Sequence, residues 1–157
     1  MQITIRPTEV DDLASLLFYR SNPRFQKICP VKIQEFAVEE ARLKNLLRDS
    51  GRREFTICLS LHPIGSGNIR PYKSDSLEIG FEISPDYWGK GYATQLCQFL
   101  MEEASKLPQP QQFVGRCVAF NQRSQAVMHK AGMHLVEAEQ LPNGIEFVTY
   151  RYIPTFR

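Results

Sequence analysis

The sequence has 157 residues, enough for one domain with a real core and short of two domains of ordinary size. With 43% hydrophobic and 23% charged residues it has the composition of a soluble globular protein, and a formal charge of +2 gives no electrostatic case for nucleic acid or for an anionic membrane. The expected partner is therefore small or local.

Ile3 and Ile5 alternate with Gln2, Thr4 and Arg6, which predicts a first strand ended by Pro7. A strand there is not a basic-then-apolar leader, and no apolar run approaches a membrane span, so a cytoplasmic location is expected. Thr8, with Asp11 three residues on, reads as an N-cap for a helix reaching about Arg20, whose apolar face is Val10, Leu13, Leu16 and Leu17. Asn22-Pro23 reads as its break, and Asn22 to Lys32, with two prolines and little periodicity, as a loop. A second helix is expected from about Gln34 to Asp49, with Phe36, Leu43 and Leu47 inward and Gly51 as its cap. Glu54 to Leu61 and Ile64 to Arg70 alternate as strands joined around His62-Pro63, and such short connections imply antiparallel pairing.

The most informative stretch runs from Leu77 to Leu107. Leu77, Ile79, Phe81 and Ile83 fall on one face of a strand, with Glu78, Gly80, Glu82 and Ser84 on the other. After Pro85 the period becomes helical, with Ala93, Leu96, Cys97, Leu100, Ala104 and Leu107 on one face. Gly89-Lys90-Gly91 sits where that helix starts. A helix start offers unpaired N–H groups and the positive end of the peptide dipoles, so it suits an anion. The glycines let a phosphate approach the main chain, Lys90 adds a cation, and Thr94 adds a hydroxyl. A Walker A loop does not fit, because Gly91 rather than Ser or Thr follows Lys90, and a dinucleotide fingerprint would need Gly or Ala at Thr94.

Phe113 to Phe120 reads as a strand that crosses over this helix to lie parallel beside the sheet, giving one parallel pair among antiparallel strands. Asn121-Gln122-Arg123-Ser124 opens a last helix, with Val127, Met128 and Ala131 inward and Gly132 just past its end. Two final strands, about Leu135 to Leu141 and Ile145 to Ile153, meet at Pro142-Asn143-Gly144. Cys29, Cys58, Cys97 and Cys117 show no metal or disulfide spacing and read as reduced packing residues, so no metal is expected.

Trp88 to Ala93, WGKGYA, resembles the acetyl-coenzyme A pyrophosphate loop of the GNAT superfamily of N-acetyltransferases, whose pattern is Gln/Arg-x-x-Gly-x-Gly/Ala. Gly91 and Ala93 match its last two positions. Trp88 departs from the first in the way of the ribosomal-protein N-acetyltransferase branch. Asn121, Ser124, Lys130 and Gly132 resemble a second stretch of the same family, with Met133 replacing a frequent Phe. The resemblance covers nearly the whole chain. It implies a single α+β domain over 1–157, with a mixed, mostly antiparallel sheet of six to seven strands, one splayed parallel pair, and about four flanking helices.

The resemblance further implies acetyl-coenzyme A as co-substrate and direct attack by an amine in a ternary complex, the acceptor being a protein N-terminus or a small-molecule amine. Main-chain groups of Ile83 and Ser84 would hold the pantetheine arm. Trp88, Gly89, Lys90 and Gly91, with Tyr92, Ala93 and Thr94, would hold the diphosphate, and Asn121 would bond the pantetheine or a water near it. Ser124 stands where many relatives place a Tyr as general acid. Glu78 is the first candidate base and Glu82 the second, with Glu137 and Glu139 as further options. Phe25, Arg24 and Lys27 would line the acceptor entrance. A homodimer is left open. The alternative reading is a catalytically silent acyl-coenzyme A-binding or interaction module on the same scaffold.

Overall fold

The computed structural model describes residues 2–29, 35–108 and 112–152. Among these the elements run β1 (Ile3–Pro7), α1 (Leu13–Arg20), α2 (Pro23–Ile28), α3 (Phe36–Arg48), β2 (Arg53–Leu59), β3 (His62–Tyr72) and β4 (Ser76–Ile83). There follow α4 (Tyr92–Ser105), β5 (Gln112–Val118), α5 (Gln122–Lys130), β6 (His134–Gln140) and β7 (Glu146–Tyr152). The strands form one seven-stranded sheet in the order β1-β2-β3-β4-β5-β7-β6, antiparallel except for β4 and β5. The mixed sheet with one parallel pair is the expected fold class, and among the described residues five α-helices flank it, one more than expected, because α2 forms in the segment read as a loop.

Alternation along β4 divides the molecule. Leu77, Ile79 and Ile83 are buried with Leu96, Leu100 and Ala104 of α4 and with Phe113 and Met128, the main core. The opposite face carries Glu78 and Glu82 and is covered near β3 by α1. There Leu13, Leu16, Leu17, Tyr19, Phe25 and Leu43 make a second, smaller core. Gly65 lies opposite Ile83, and a Cβ on it would fall 2.4 Å from the carbonyl oxygen of Glu82. Backbone cannot give way as a side chain can, so Gly65→Ala is expected to destabilise the fold by about 1–3 kcal/mol in denaturant unfolding. An unchanged midpoint would show the two strands to be farther apart.

Several local readings change. Thr8 does not cap α1, because its hydroxyl bonds the Thr56 hydroxyl at 2.8 Å. A short 3-10 turn, Val10–Asp12, precedes α1 instead, and the Asp12 carboxylate accepts from the Glu9 N–H at 2.8 Å. Asn22-Pro23 begins a helix as well as ending one. The Asn22 side chain accepts from the Arg24 N–H, and proline is tolerated in a first helical turn, where its missing N–H would be unpaired anyway. The β2–β3 turn falls at Ser60 and Leu61, both at positive φ, and His62-Pro63 joins β3 beside an irregularity in β2 at Ile57/Cys58. Gly51 is no left-handed cap, since α3 ends at Arg48 and the Asp49 carboxylate accepts the Gly51 N–H. The expected helix start at Gln34 and strand end at Ile153 lie outside the described residues.

Asp12 is also gripped by Arg6 through two bonds of 2.7 and 2.8 Å. Burial alone would raise its pKa. The Arg6 bonds and the Glu9 N–H outweigh that and hold the carboxyl below its ordinary value. A lowered folded-state pKa stabilises above the ordinary carboxylate range, and that contribution is lost as pH falls through the lowered value. Melting temperature against pH should therefore drop on acidification, and Asp12→Asn should be less stable at neutral pH and less acid-sensitive. Parallel curves for the two proteins would remove Asp12 from this role.

The parallel pair positions the site. Its ladder comprises Ser76 with Gln112, Leu77 with Phe113, and Glu78 with Val114, and no later pair joins the two strands. Both continue, β4 to Ile83 and β5 to Val118, while β5 stays paired with β7 on its other side. The strands therefore splay, leaving the β5-facing edge of β4 from Ile79 to Ile83 without a ladder partner. Among the described residues no helix is long and apolar enough to cross a membrane.

Candidate active site

Beyond the splay the chain passes through the short turn Pro85–Tyr87 and reaches α4 by way of two glycines. Gly89 has φ of 76° and Gly91 of 84°, values open to glycine and strained for most other residues. Gly91 is the N-cap residue of α4 and its carbonyl accepts the Gln95 N–H. No side chain caps this helix, and nothing lies within 4 Å of where a Cβ would stand on Gly89 or Gly91. The amides that open α4 thus have no side-chain cap and stand at the positive end of the helix. The start of α5 is different, for there Asn121 Oδ1 accepts the Ser124 N–H at 3.1 Å. The Asn121 amide donors and the Ser124 hydroxyl bond none of the described residues.

Both helix starts open on a cavity of about 680 Å³, of ordinary size for a small-molecule site. All the expected cofactor-binding residues line it except Ser84 and Lys90. The Ser84 N–H is spent on the Ile64 carbonyl, and the Lys90 ammonium lies 5.8 Å from the Tyr87 ring centre. Trp88 is clamped. Its indole N–H donates to the Ile83 carbonyl at 2.8 Å, while Arg24 and Arg123 stack on the ring at 5.3 and 4.7 Å. Of the residues expected at the acceptor entrance, Phe25 lines the cavity, Arg24 reaches Trp88, and Lys27 does not line it.

The two candidate carboxylates separate. Glu78 is buried outside the cavity and paired with Arg70, its cross-strand neighbour on β3. Glu82 lines the cavity. Its Oε1 accepts from the Tyr19 hydroxyl at 2.7 Å, Arg20 Nε at 2.5 Å and the Ser66 hydroxyl at 3.1 Å, and Oε2 bonds none of the described residues. Burial, with the Glu82 charge adding to it, pushes the Tyr19 hydroxyl well above its ordinary pKa, so Tyr19 stays a donor. Burial alone would lower the Arg20 pKa, but Glu82 and Tyr19 outweigh it and the guanidinium stays charged. Tyr19 and Arg20 give no signal in the sequence, since each is more than sixty residues from Glu82 and fits the helix pattern unremarked. Glu137 and Glu139 are exposed on β6 and do not line the cavity.

Cys29 and Cys117 also line the cavity. Burial pushes Cys117 up to about 11. Cys29 is raised too, by burial and then by the Glu82 charge. Neither is a thiolate at neutral pH. Among the described residues no group of His, Cys, Asp and Glu could hold a metal ion.

A family model described as Acetyltransferase (GNAT) domain matches residues 2–134. The FsC-acetyl coenzyme A-N(2)-transacetylase of Aspergillus fumigatus is 31% identical over 90 residues, which are 54% of this chain and only 38% of that longer protein. The uncharacterized N-acetyltransferase YnaD of Bacillus subtilis is 28% identical over 136 residues, 84% of this chain and 79% of YnaD. Among solved structures, the Salmonella typhimurium acetyl transferase that modifies the N-terminal serine of ribosomal protein L7/L12 superposes with a TM-score of 0.84 at 14% identity, covering 99% of this chain and 96% of that one. The microcin C7 self-immunity acetyltransferase MccE, solved with acetyl-CoA and AMP, superposes with a TM-score of 0.82 at 17% identity, covering 98% and 93%. At such identities these two structures establish a shared fold.

Proposed function

The chain belongs to the GNAT acetyltransferase family, and from that premise we propose that it transfers the acetyl group of acetyl-coenzyme A to a primary amine by direct attack. The observation that carries this reading is the uncapped, glycine-flanked start of α4, open to the same cavity as the splayed edge of β4. Amides of residues 89–94 would bind the diphosphate. Arg123, held at Trp88, supplies a cation near the place where the family pattern has Gln or Arg. The free edge of β4 gives main-chain groups to the pantetheine arm in the manner of an added strand. This lays the thioester beside Glu82.

There the amine nitrogen forms its bond to the acetyl carbon, the C–S bond breaks, and Glu82 takes the amine proton directly or through water. The Ser124 hydroxyl and the Asn121 amide are the donors available to the departing sulfur, whose electron pair takes up a proton in turn. Tyr19, Arg20 and Ser66 fix Glu82 Oε1, so that Oε2 serves the reaction. High thiol pKa values at Cys29 and Cys117 favour direct attack over an acetyl-cysteine intermediate. Proteins of this fold include one that modifies the N-terminal serine of ribosomal protein L7/L12 and a spermidine N-acetyltransferase, and we put this chain's acceptor among primary amines of a cytoplasmic setting.

The test is release of coenzyme A from acetyl-coenzyme A with a panel of amines. Amine-dependent release supports the reading. Thermal stabilisation by acetyl-coenzyme A without turnover on any amine would make the chain a silent binding module. Preferential stabilisation by ATP would contradict both.

A further inference from the structure

Two cations of the cavity are left unused by the acetyl-coenzyme A reading, the exposed Lys130 at the end of α5 and the more enclosed Arg116. Arg116 lies on β5 and lines the cavity. A Cβ on the preceding Gly115 would meet Met128 and Met133 beneath α5, so Arg116 points to the opposite face, that of Glu82 and away from the start of α4. Its guanidinium is fixed between two rings, 5.4 Å from Tyr72 and 5.9 Å from Phe147. Its Nε is buried without a partner. The nearest carboxylate, Glu78, stands off at 4.0 Å and is taken at closer range by Arg70. Arg151 also has a partnerless buried Nε, yet it does not line the cavity.

A guanidinium held by aromatic faces, lacking a close counter-ion and edging a cavity is arranged for an oxyanion. Glu82, on the same face of the neighbouring strand, is its opposite. Both line the cavity, Arg116 on β5 and Glu82 on β4, on the two sides of the gap where these strands splay. One carboxylate and one guanidinium facing one cavity, with Phe25, Ile28, Leu141 and Ile145 also lining it, complement a small zwitterion with an apolar skeleton. The geometry points to an acceptor that carries a carboxylate as well as its amine, of free amino-acid type. The ammonium would lie at Glu82 and the carboxylate at Arg116. This rests on the acetyl-transfer reading only in taking the bound molecule to be the acceptor.

The experiment compares free amino acids, each against its own carboxamide, by kcat/KM in the wild type and in Arg116→Met, which keeps an unbranched chain between the rings and removes the charge. The wild type should prefer the carboxylate form of at least one apolar amino acid by about tenfold or more, the scale of a charge-assisted bond. In Arg116→Met that ratio should fall to near one, and Arg116→Lys should recover part of it. A second measurement needs no turnover. N-acetyl-L-leucine should bind the coenzyme A-loaded wild type more tightly than N-acetyl-L-leucinamide, and Arg116→Met should lose the difference.

Turnover without any carboxylate preference, or spermidine as the best acceptor, overturns this inference and leaves acetyl transfer standing. Loss of all turnover while the binding discrimination persists does the reverse. A preference for O-phosphoethanolamine over ethanolamine, with none for amino acids, overturns the carboxylate in favour of a phosphate.

Discussion

Replacing Gly91 with aspartate should weaken acetyl-coenzyme A binding at least about a hundredfold, close to the worth of one or two charge-assisted hydrogen bonds. The structure excludes one cause of that loss and leaves two. Within the protein there is room, because nothing lies within 4 Å of a Cβ at this position. There is backbone strain, because φ is 84°. Above all there is the ligand, since the new side chain would occupy the approach to the amides of Tyr92, Ala93 and Thr94 and oppose a diphosphate with a like charge. Gly91→Asn isolates the charge, being of the same shape and among the residues that tolerate positive φ, and should lose only about tenfold. Titration calorimetry of the three proteins, with melting temperatures of the ligand-free forms alongside, reads each contribution. Near wild-type affinity in Gly91→Asp would remove the phosphate loop from this segment.

Glu82→Gln should lower kcat by roughly 10²- to 10³-fold, the range of a lost general base, and leave the dissociation constant of acetyl-coenzyme A within about twofold. Glutamine has the same shape, and its amide oxygen can still accept from Tyr19 and Ser66, so the site keeps its geometry. What it loses is the ability to take a proton and the charge facing Arg20. Denaturant unfolding of the variant separates the second loss from the first. Glu78→Gln is the comparison, since Glu78 is turned to Arg70 and away from the cavity. A larger loss of turnover in Glu78→Gln than in Glu82→Gln would move the base to Glu78, and equal small losses would leave the proton to solvent.

What could be read without coordinates was whatever is local. Strand β4 and helix α4 announce themselves because a period of two gives way to a period near 3.6 across a proline and two glycines, and both halves bury the faces their spacing implies. Asn121 reads as a cap for the same reason, its partner being three residues away. Asn22-Pro23 misleads because the pair that ends one helix is equally suited to start the next, and local pattern does not choose between them.

The site's electrostatics were less legible because their partners are distant in sequence. Tyr19 and Arg20 reach Glu82 only once α1 packs against the sheet, and Thr8 finds its partner in Thr56 of β2, 48 residues away. One signal was available. The short turn between β3 and β4 sets Arg70 directly opposite Glu78, so the hairpin register alone predicts that this carboxylate is paired, and it leaves Glu82 the more available of the two. Arg116 carried no such signal. Its isolation is a property of the splay, which opens one pair beyond the last rung of the β4–β5 ladder.

The most direct test is a crystal structure of the protein with acetyl-coenzyme A bound. It should place the diphosphate within hydrogen-bonding distance of the amides of residues 89–94, the pantetheine along the free edge of β4, and the acetyl carbon beside Glu82. A diphosphate seated elsewhere, with those amides turned to solvent while the cofactor is bound, would contradict the account at its root.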